Sequence, residues 1–471
     1  MPVIRTWQLA AGATVVGLAL AAGAVAAAGP WDSGQRKAER DWAADRAPGG
    51  GAHHRASEGK RTAAAPSAPG VLTALGSSAG AAAPGRAATA PAEGLARELG
   101  PLLRDRGLGP VSAASVVDMA TGREVYGTRS GASMVPASTT KIATTSAALS
   151  ALGPDHRIPT TVVASGKGAG TVVTLVGGGD ASLDGARLGT LADRTASALR
   201  AAGPAPVRLA YSTSLYRGKV LHPIGVNGNL AEVTPLMVDQ GRLDPRSTGP
   251  AERSGDPAGD AARAFGRLLE ARGVAIAGGP ASGAPAPGAR QLARVLSPPV
   301  SELVERTLTD SDNDIAESLA RQTAIATGEE ASFAGAGRAV KKQLARLKVP
   351  LAGTNFADGS GLDRKDRVSA RLLTALLARA AEPGRPGLRP VLTGLPVAGF
   401  TGTLDSRYPA TSPGAGLVRA KTGTLTGVNS LSGTVVAPDG RLLAFAFLAD
   451  RTPSRDEAQL ALDRLAAALV S

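Results

Sequence analysis

Ser138 and Lys141 stand three residues apart in Ser138-Thr139-Thr140-Lys141, at the start of a stretch patterned as a helix. That spacing sets a hydroxyl and an amine on one helix face, a turn apart. A helix N-terminus favours the negative charge that develops when a carbonyl is attacked. A desolvated lysine with a lowered pKa can take the serine proton, so this chemistry needs no histidine. The pattern by itself is weak, because Ser57-Glu58-Gly59-Lys60 also matches it, in a Gly/Ala-rich stretch without sustained apolar periodicity. Ser138 is distinguished by its setting, with a hairpin pattern before it and an apolar helix after it.

Two other groups could join that pair. Ser311-Asp312-Asn313 supplies a second hydroxyl and an amide just before the amphipathic run 315–324. Taken alone it reads as a helix cap, which all three residue types favour. Lys421-Thr422-Gly423-Thr424 offers a cation and hydroxyls for a carboxylate, and its glycine would let a strand edge approach a ligand. Taken alone it reads as a loop. The chain has ten lysines and five asparagines, and one Ser-x-Asn and one Lys-Thr-Gly, in the order Ser-x-x-Lys, Ser-x-Asn, Lys-Thr-Gly.

Composition narrows the chemistry further. The 471 residues contain no cysteine, which excludes disulfides, thiol catalysis and thiolate metal sites. Of the four histidines, His53 and His54 lie in a Gly/Ala stretch, while His156 and His222 stand alone. No histidine pair has metal-ligand spacing, so neither a metal nor a cofactor is expected. The net charge of +13 suits an anionic polymer or surface. Nucleic acid is not the expected partner, because the arginines are scattered and Trp7, Trp31 and Trp42 all precede the patterned region.

The elements that must position these groups are legible at both ends of that region. Residues 111–119 and 123–127 flank Thr121-Gly122 as a hairpin. Residues 136–152 read as a helix closed by Gly153-Pro154. Residues 427–437 and 441–449 read as strands joined at Pro438-Asp439-Gly440, followed by a helix over 454–470. Strands at both ends with helices between imply one antiparallel sheet flanked by helices, an α+β architecture. Between 158 and 295 the strand-like runs 160–164, 171–176 and 207–211 alternate with Gly-rich turns such as Gly177-Gly178-Gly179-Asp180, which predicts an inserted, smaller β-rich domain. Helical patterning resumes over 299–327.

Ahead of all this, Arg5 precedes an uncharged run over 6–30, with Trp7 and Trp31 at its ends. The run is long enough for a membrane span, and Ala24-Val25-Ala26 offers a small-residue cleavage site. The expected organisation is a signal peptide or membrane anchor over 1–31 and a Gly/Ala/Pro-rich tether over 32–92. A catalytic domain over 93–157 plus 296–471 and the insert over 158–295 complete it. The catalytic region is expected in the cell envelope outside the cytoplasmic membrane, anchored or secreted.

Taken together, the three groups are the set found in penicillin-binding proteins and class A β-lactamases. Over roughly residues 93–471 the chain resembles the D-Ala-D-Ala carboxypeptidase/endopeptidase family, peptidase family S13, the low-molecular-mass class C penicillin-binding proteins. The stretch from Gly178-Gly179-Asp180-Ala181 to Leu183 resembles that family's Gly-Gly-Asp-Pro-x-Leu, with Ala181 in place of proline. Asp358-Gly359-Ser360-Gly361-Leu362-Asp363-Arg364 resembles its Asp-Gly-Ser-Gly-Leu-Ser-Arg, and Leu395-Pro396-Val397-Ala398-Gly399 with Gly402-Thr403-Leu404 resembles another signature.

The resemblance implies the serine β-lactamase/penicillin-binding transpeptidase-like fold and a substrate that is a peptidoglycan stem peptide ending in D-Ala-D-Ala, with β-lactams as acylating inhibitors. It implies that Ser138 attacks the carbonyl between two D-alanines and that Lys141 is the base, its pKa lowered by Lys421 and by burial. Ser311 and Asn313 would relay the proton and hold the substrate. Lys421 and Thr422, with Gly423 and Thr424 beside them, would receive the terminal carboxylate, and the amides of Ser138 and Thr424 would form the oxyanion hole. Two departures stand out. Ser212 replaces an acid that could meet a substrate ammonium, leaving Arg364 as a carboxylate partner, and the segment 215–234 is short where relatives carry a third domain. Three alternatives compete with this reading. A β-lactamase is disfavoured by the 173-residue separation of Ser138 and Ser311. A serine esterase would need the elbow Gly76-Ser77-Ser78-Ala79-Gly80, which has no strand before it, and a non-catalytic wall-binding relative would not need the intact set.

Overall fold

The computed structural model describes residues 90–203 and 205–470. The expected leader and nearly all of the expected tether lie outside the described residues. Among the described residues no helix is long and apolar enough to cross a membrane.

Helix α1 (Ala90–Leu102) begins three residues inside the segment read as tether and leads into the hairpin β1 (Val111–Asp118) and β2 (Glu124–Thr128). Helix α2 (Thr140–Leu152) follows a 3-10 turn over Ala137–Thr139, and Gly153 ends it at φ 82°. The next region holds β3 (Pro159–Ser165), β4 (Val172–Val176), α3 (Gly185–Ala201), β5 (Arg208–Ser212), α4 (Pro257–Glu270), β6 (Ala281–Ser282) and β7 (Arg290–Leu296). Helices α5 (Val300–Thr309), α6 (Asn313–Ala326), α7 (Phe333–Arg346), α8 (Ala370–Ala381) and α9 (Pro390–Thr393) come next. The chain closes with β8 (Arg419–Leu425), β9 (Val428–Val436), β10 (Leu442–Asp450) and α10 (Arg455–Ala467).

The main sheet has the order β2-β1-β10-β9-β8 and is antiparallel throughout, so β10 lies at its centre. Alternation along β10 explains its continuous apolar run. Phe445, Phe447 and Ala449 face α1 and α10, while Ala444, Ala446 and Leu448 face the helical layer of α2 and α5–α8. Alanines on the second face let the helices pack close, and the paired phenylalanines fill the first. Burying one such ring contributes on the order of 2–3 kcal/mol.

The second sheet has the order β6-β5-β4-β3-β7. Its β3–β4 and β3–β7 pairs are antiparallel, while β4–β5 and β5–β6 are parallel. Parallel neighbours need crossover helices, and α3 and α4 supply them. The sequence hid both because glycines interrupt them. Asp184 and Asp256 cap them, each accepting from a backbone amide of the first turn. Segment 215–234, expected to be short, holds no helix and only an isolated bridge between Asn227 and Leu230.

Candidate active site

The 3-10 turn before α2 carries Ser138. Ala137 sits at φ 49°, a left-handed conformation that non-glycine residues rarely adopt, and it turns Ser138 toward a cleft of about 770 Å³. Ser311 and Asn313 line the same cleft, as do Thr403 and Thr424. Ser311 is also left-handed, at φ 59°, where the chain breaks the helical run 299–327 into α5 and α6. Asp312 caps α6 by accepting from the Ile315 amide, so the cap reading of this tripeptide and its placement at the cleft are both true.

Lys141 is fully buried, and its Nζ has three partners: Ser138 Oγ at 2.9 Å, Asn313 Oδ1 at 2.7 Å and the Ser360 carbonyl at 2.7 Å. Burial pulls its pKa down to about 8, opposed by the carboxylates of Asp358, Asp312, Glu317 and Asp366. The expected order of causes therefore needs correcting: desolvation is the main cause that lowers Lys141. Burial first, then Lys141 and Arg407, hold Lys421 well below the usual lysine range against the pull of Asp310. Lys421 is also fully buried and donates to the Thr422 carbonyl at 2.8 Å; Thr422 Oγ1 donates to Thr403 Oγ1 at 2.8 Å.

The Lys-Thr-Gly group lies within β8 rather than in a loop. Gly423 is needed for a different contact from the one its sequence suggested. A Cβ there would meet Ser430 Oγ and would stand 2.6 Å from the Pro136 carbonyl, so the glycine lets β8 pack on the turn that carries Ser138. Gly423→Ala should therefore push β8 away from Ser138. We expect acylation by penicillin to slow by about 10–100-fold and stability to fall by about 1–3 kcal/mol. Stopped-flow acylation and thermal melts check the two effects, and unchanged acylation would show that this packing does not set the site.

A family model, the D-Ala-D-Ala carboxypeptidase 3 (S13) family, matches residues 95–253 and 244–469. The chain belongs to the S13 family. It is 37% identical over 386 residues to a carboxypeptidase of Mycobacterium tuberculosis, spanning 77% of this chain and 81% of the relative. It is 36% identical over 398 residues to the carboxypeptidase DacB of Mycolicibacterium smegmatis, spanning 80% and 84%. The crystal structure of penicillin binding protein 4 from Haemophilus influenzae superposes with a TM-score of 0.67 at 21% identity, covering 78% of this chain and 98% of that one. The α+β penicillin-binding fold is thereby shown.

In this S13 chain the second motif is clamped from segment 229–253. Asn313 Nδ2 donates to the Asn229 carbonyl at 2.9 Å, Gln240 Nε2 donates to Asp312 at 2.6 Å, and Arg253 pairs with Asp314 at 3.1 Å, both side chains buried. Burial and the neighbouring Asp312 push Asp314 up to about 6, opposed by Arg253. The Gly177–Asp180 turn docks on α6, where Gln322 Nε2 donates to the Gly178 carbonyl at 2.7 Å. The next residues, Ala181 to Asp184, line the cleft.

Arg364 is not brought to the cleft wall. Its guanidinium donates to the Thr426 carbonyl in the β8–β9 turn at 2.6 Å, although Leu362 from the same motif does line the cleft. Ser212 is buried and within hydrogen-bonding distance of Ser214 Oγ, 2.9 Å away.

Sequence reasoning missed a buried cluster behind Lys141. One ligand-type atom from each of His222, Glu317 and Asp358 falls within 4.8 Å of the others. These atoms are already engaged: His222 Nε2 with Asp358 Oδ2 at 2.8 Å, and Glu317 Oε1 with the amides of Gly359 and Ser360. The Arg321 cation beside Glu317 also opposes a metal. The resemblance around Asp358 was the available signal; His222 and Asn229 gave none.

Proposed function

We propose that this S13 enzyme is a serine D-Ala-D-Ala carboxypeptidase acting on peptidoglycan stem peptides through an acyl-enzyme at Ser138. The observation that carries this reading is the Lys141 environment. Asn313 Oδ1 and the Ser360 carbonyl can only accept, so they take the two N–H bonds of a neutral amine and leave its lone pair facing the Ser138 hydroxyl. Lys141 removes the hydroxyl proton as Oγ bonds to the penultimate D-Ala carbonyl carbon. The tetrahedral oxygen is received by backbone amides at Ser138 and Thr424, and collapse expels the terminal D-Ala amine, which takes the proton back. Water then hydrolyses the ester. Thr424 lines the cleft, and Lys421 and Thr422 on the same strand would receive the leaving carboxylate.

The names of the relatives support this reading, including a D-alanyl-D-alanine carboxypeptidase of Actinomadura that is 31% identical over 438 residues. A β-lactam has the same acyl-D-Ala-D-Ala shape and would stop at the ester. A cross-linked peptide would be cut at the same bond, as by an endopeptidase. The uncharged run over 6–30 supports an exported enzyme in the cell envelope, which fractionation would test. The deciding experiment is incubation of the full chain with a stem pentapeptide ending in D-Ala-D-Ala. We expect one D-Ala released per peptide at a rate unchanged by EDTA, because the base is a lysine. Activity that disappears in EDTA and returns with zinc would overturn the mechanism.

A further inference from the structure

We propose that Glu317 is a positioning residue for the serine–lysine pair. Its carboxylate holds the Gly359–Ser360 backbone so that the Ser360 carbonyl takes one Lys141 N–H and leaves the lysine lone pair to Ser138. The inference rests on Lys141 acting as the base.

A neutral amine has two N–H bonds and one lone pair, and Lys141 has three neighbours. Only the Ser138 hydroxyl among them can donate, so the lone pair points there for as long as both acceptors stay in place. Asn313 is held by the Asn229 carbonyl, which fixes its amide orientation. The Ser360 carbonyl belongs to a turn whose two leading amides, Gly359 N and Ser360 N, both donate to Glu317 Oε1 at 2.9 Å. Glu317 stands one turn beyond Asn313 on α6, so a single helix fixes both acceptors. Glu317 is fully buried, and its Oε2 has no hydrogen-bond partner and lies 3.9 Å from Arg321 Nη1. A proton on Oε2 would find no acceptor, so the carboxylate form fits, although burial pushes this group's pKa up.

The charges facing the lysine come from every element around it. Glu317 and Asp312 belong to α6 and its cap, Asp358 and Asp366 to the turn that follows α7, and Lys421 to β8. Arg321 and His222 face Glu317. Removing the Glu317 charge therefore makes Lys141 easier to deprotonate.

Two variants of the full chain separate charge from geometry, with acylation by a fluorescent penicillin followed against pH. The amplitude of labelling counts competent sites, so rates are read per folded molecule. Glu317→Gln keeps an acceptor oxygen but loses the charge. Its acidic limb should move to lower pH by on the order of one unit, with the plateau rate near the parent's. Glu317→Asp keeps the charge but withdraws the oxygen by about 1.5 Å. Its limb should stay in place while the plateau rate falls by about 10–100-fold with unchanged penicillin affinity. An unmoved limb in Glu317→Gln, or a parental rate in Glu317→Asp, overturns the proposal. Labelling of the parent at Ser138 is read first and tests the acyl-enzyme reading separately.

Discussion

Ser138→Ala is expected to abolish covalent labelling by fluorescent penicillin and release of D-Ala, while Ser57→Ala leaves both at the parent level. Both serines begin a Ser-x-x-Lys. Only Ser138 is shown against its lysine, at 2.9 Å, on a turn strained at Ala137 and facing a cleft. Without the hydroxyl no ester can form, and the remaining amides and cations can only bind. The turnover loss should be on the order of 10⁴–10⁶, with penicillin labelling falling to background. Intact-protein mass spectrometry of the parent and both variants reads the result. A penicilloyl adduct that persists in Ser138→Ala would remove Ser138 as nucleophile.

The second large effect separates the two buried lysines. Lys141 must be neutral to accept a proton, and its pKa lies at about 8. Below that value the protonated fraction grows, so kcat/KM for acylation should fall by about tenfold per pH unit on the acid side and level off above it. Lys141→Arg replaces the base with a guanidinium that stays charged at every working pH. Acylation should fall by at least about 10³-fold, and its rising limb should disappear. Lys421→Arg overfills a fully buried position, at a cost of about 1–3 kcal/mol, yet keeps a cation for the substrate carboxylate. It should raise KM more than it lowers kcat. A Lys141→Arg enzyme that acylates at the parent rate would reverse the two roles.

The sequence made the ends of the fold easier to read than its middle, for physical reasons. The hairpin of β1 and β2, and strands β9 and β10, announce themselves through apolar runs bounded by Thr121-Gly122 and Pro438-Asp439-Gly440. Helices α3 and α4 did not, because Gly185, Gly189, Gly259 and Gly266 dilute their periodicity; tertiary packing against the second sheet holds them. At the site, Ser138 and Lys141 meet through short-range spacing, whereas packing of α6 on α2 brings Asn313 to them from 172 residues away. Arg364 diverges because the nearby Thr426 carbonyl captures its guanidinium, a contact between segments that no motif encodes. The acceptors that aim Lys141 are backbone carbonyls or are held by them, and carbonyls leave no trace in residue types.

The position of β10 has a consequence for timing. Ser138 and Lys141 are made early, yet the nucleophile turn is held by a strand far downstream: Ser430 donates to the Pro136 carbonyl across 294 residues. The strand between the two halves of the main sheet is the last synthesised of the described strands. Until it pairs with β1 on one side and β9 on the other, β8 has no register relative to Ser138. Such distant pairings form late in folding, after the entropy of closing the long loop is overcome. A nascent or C-terminally truncated chain therefore carries the reactive serine without a working centre, and the enzyme stays inert until its final strand is in place.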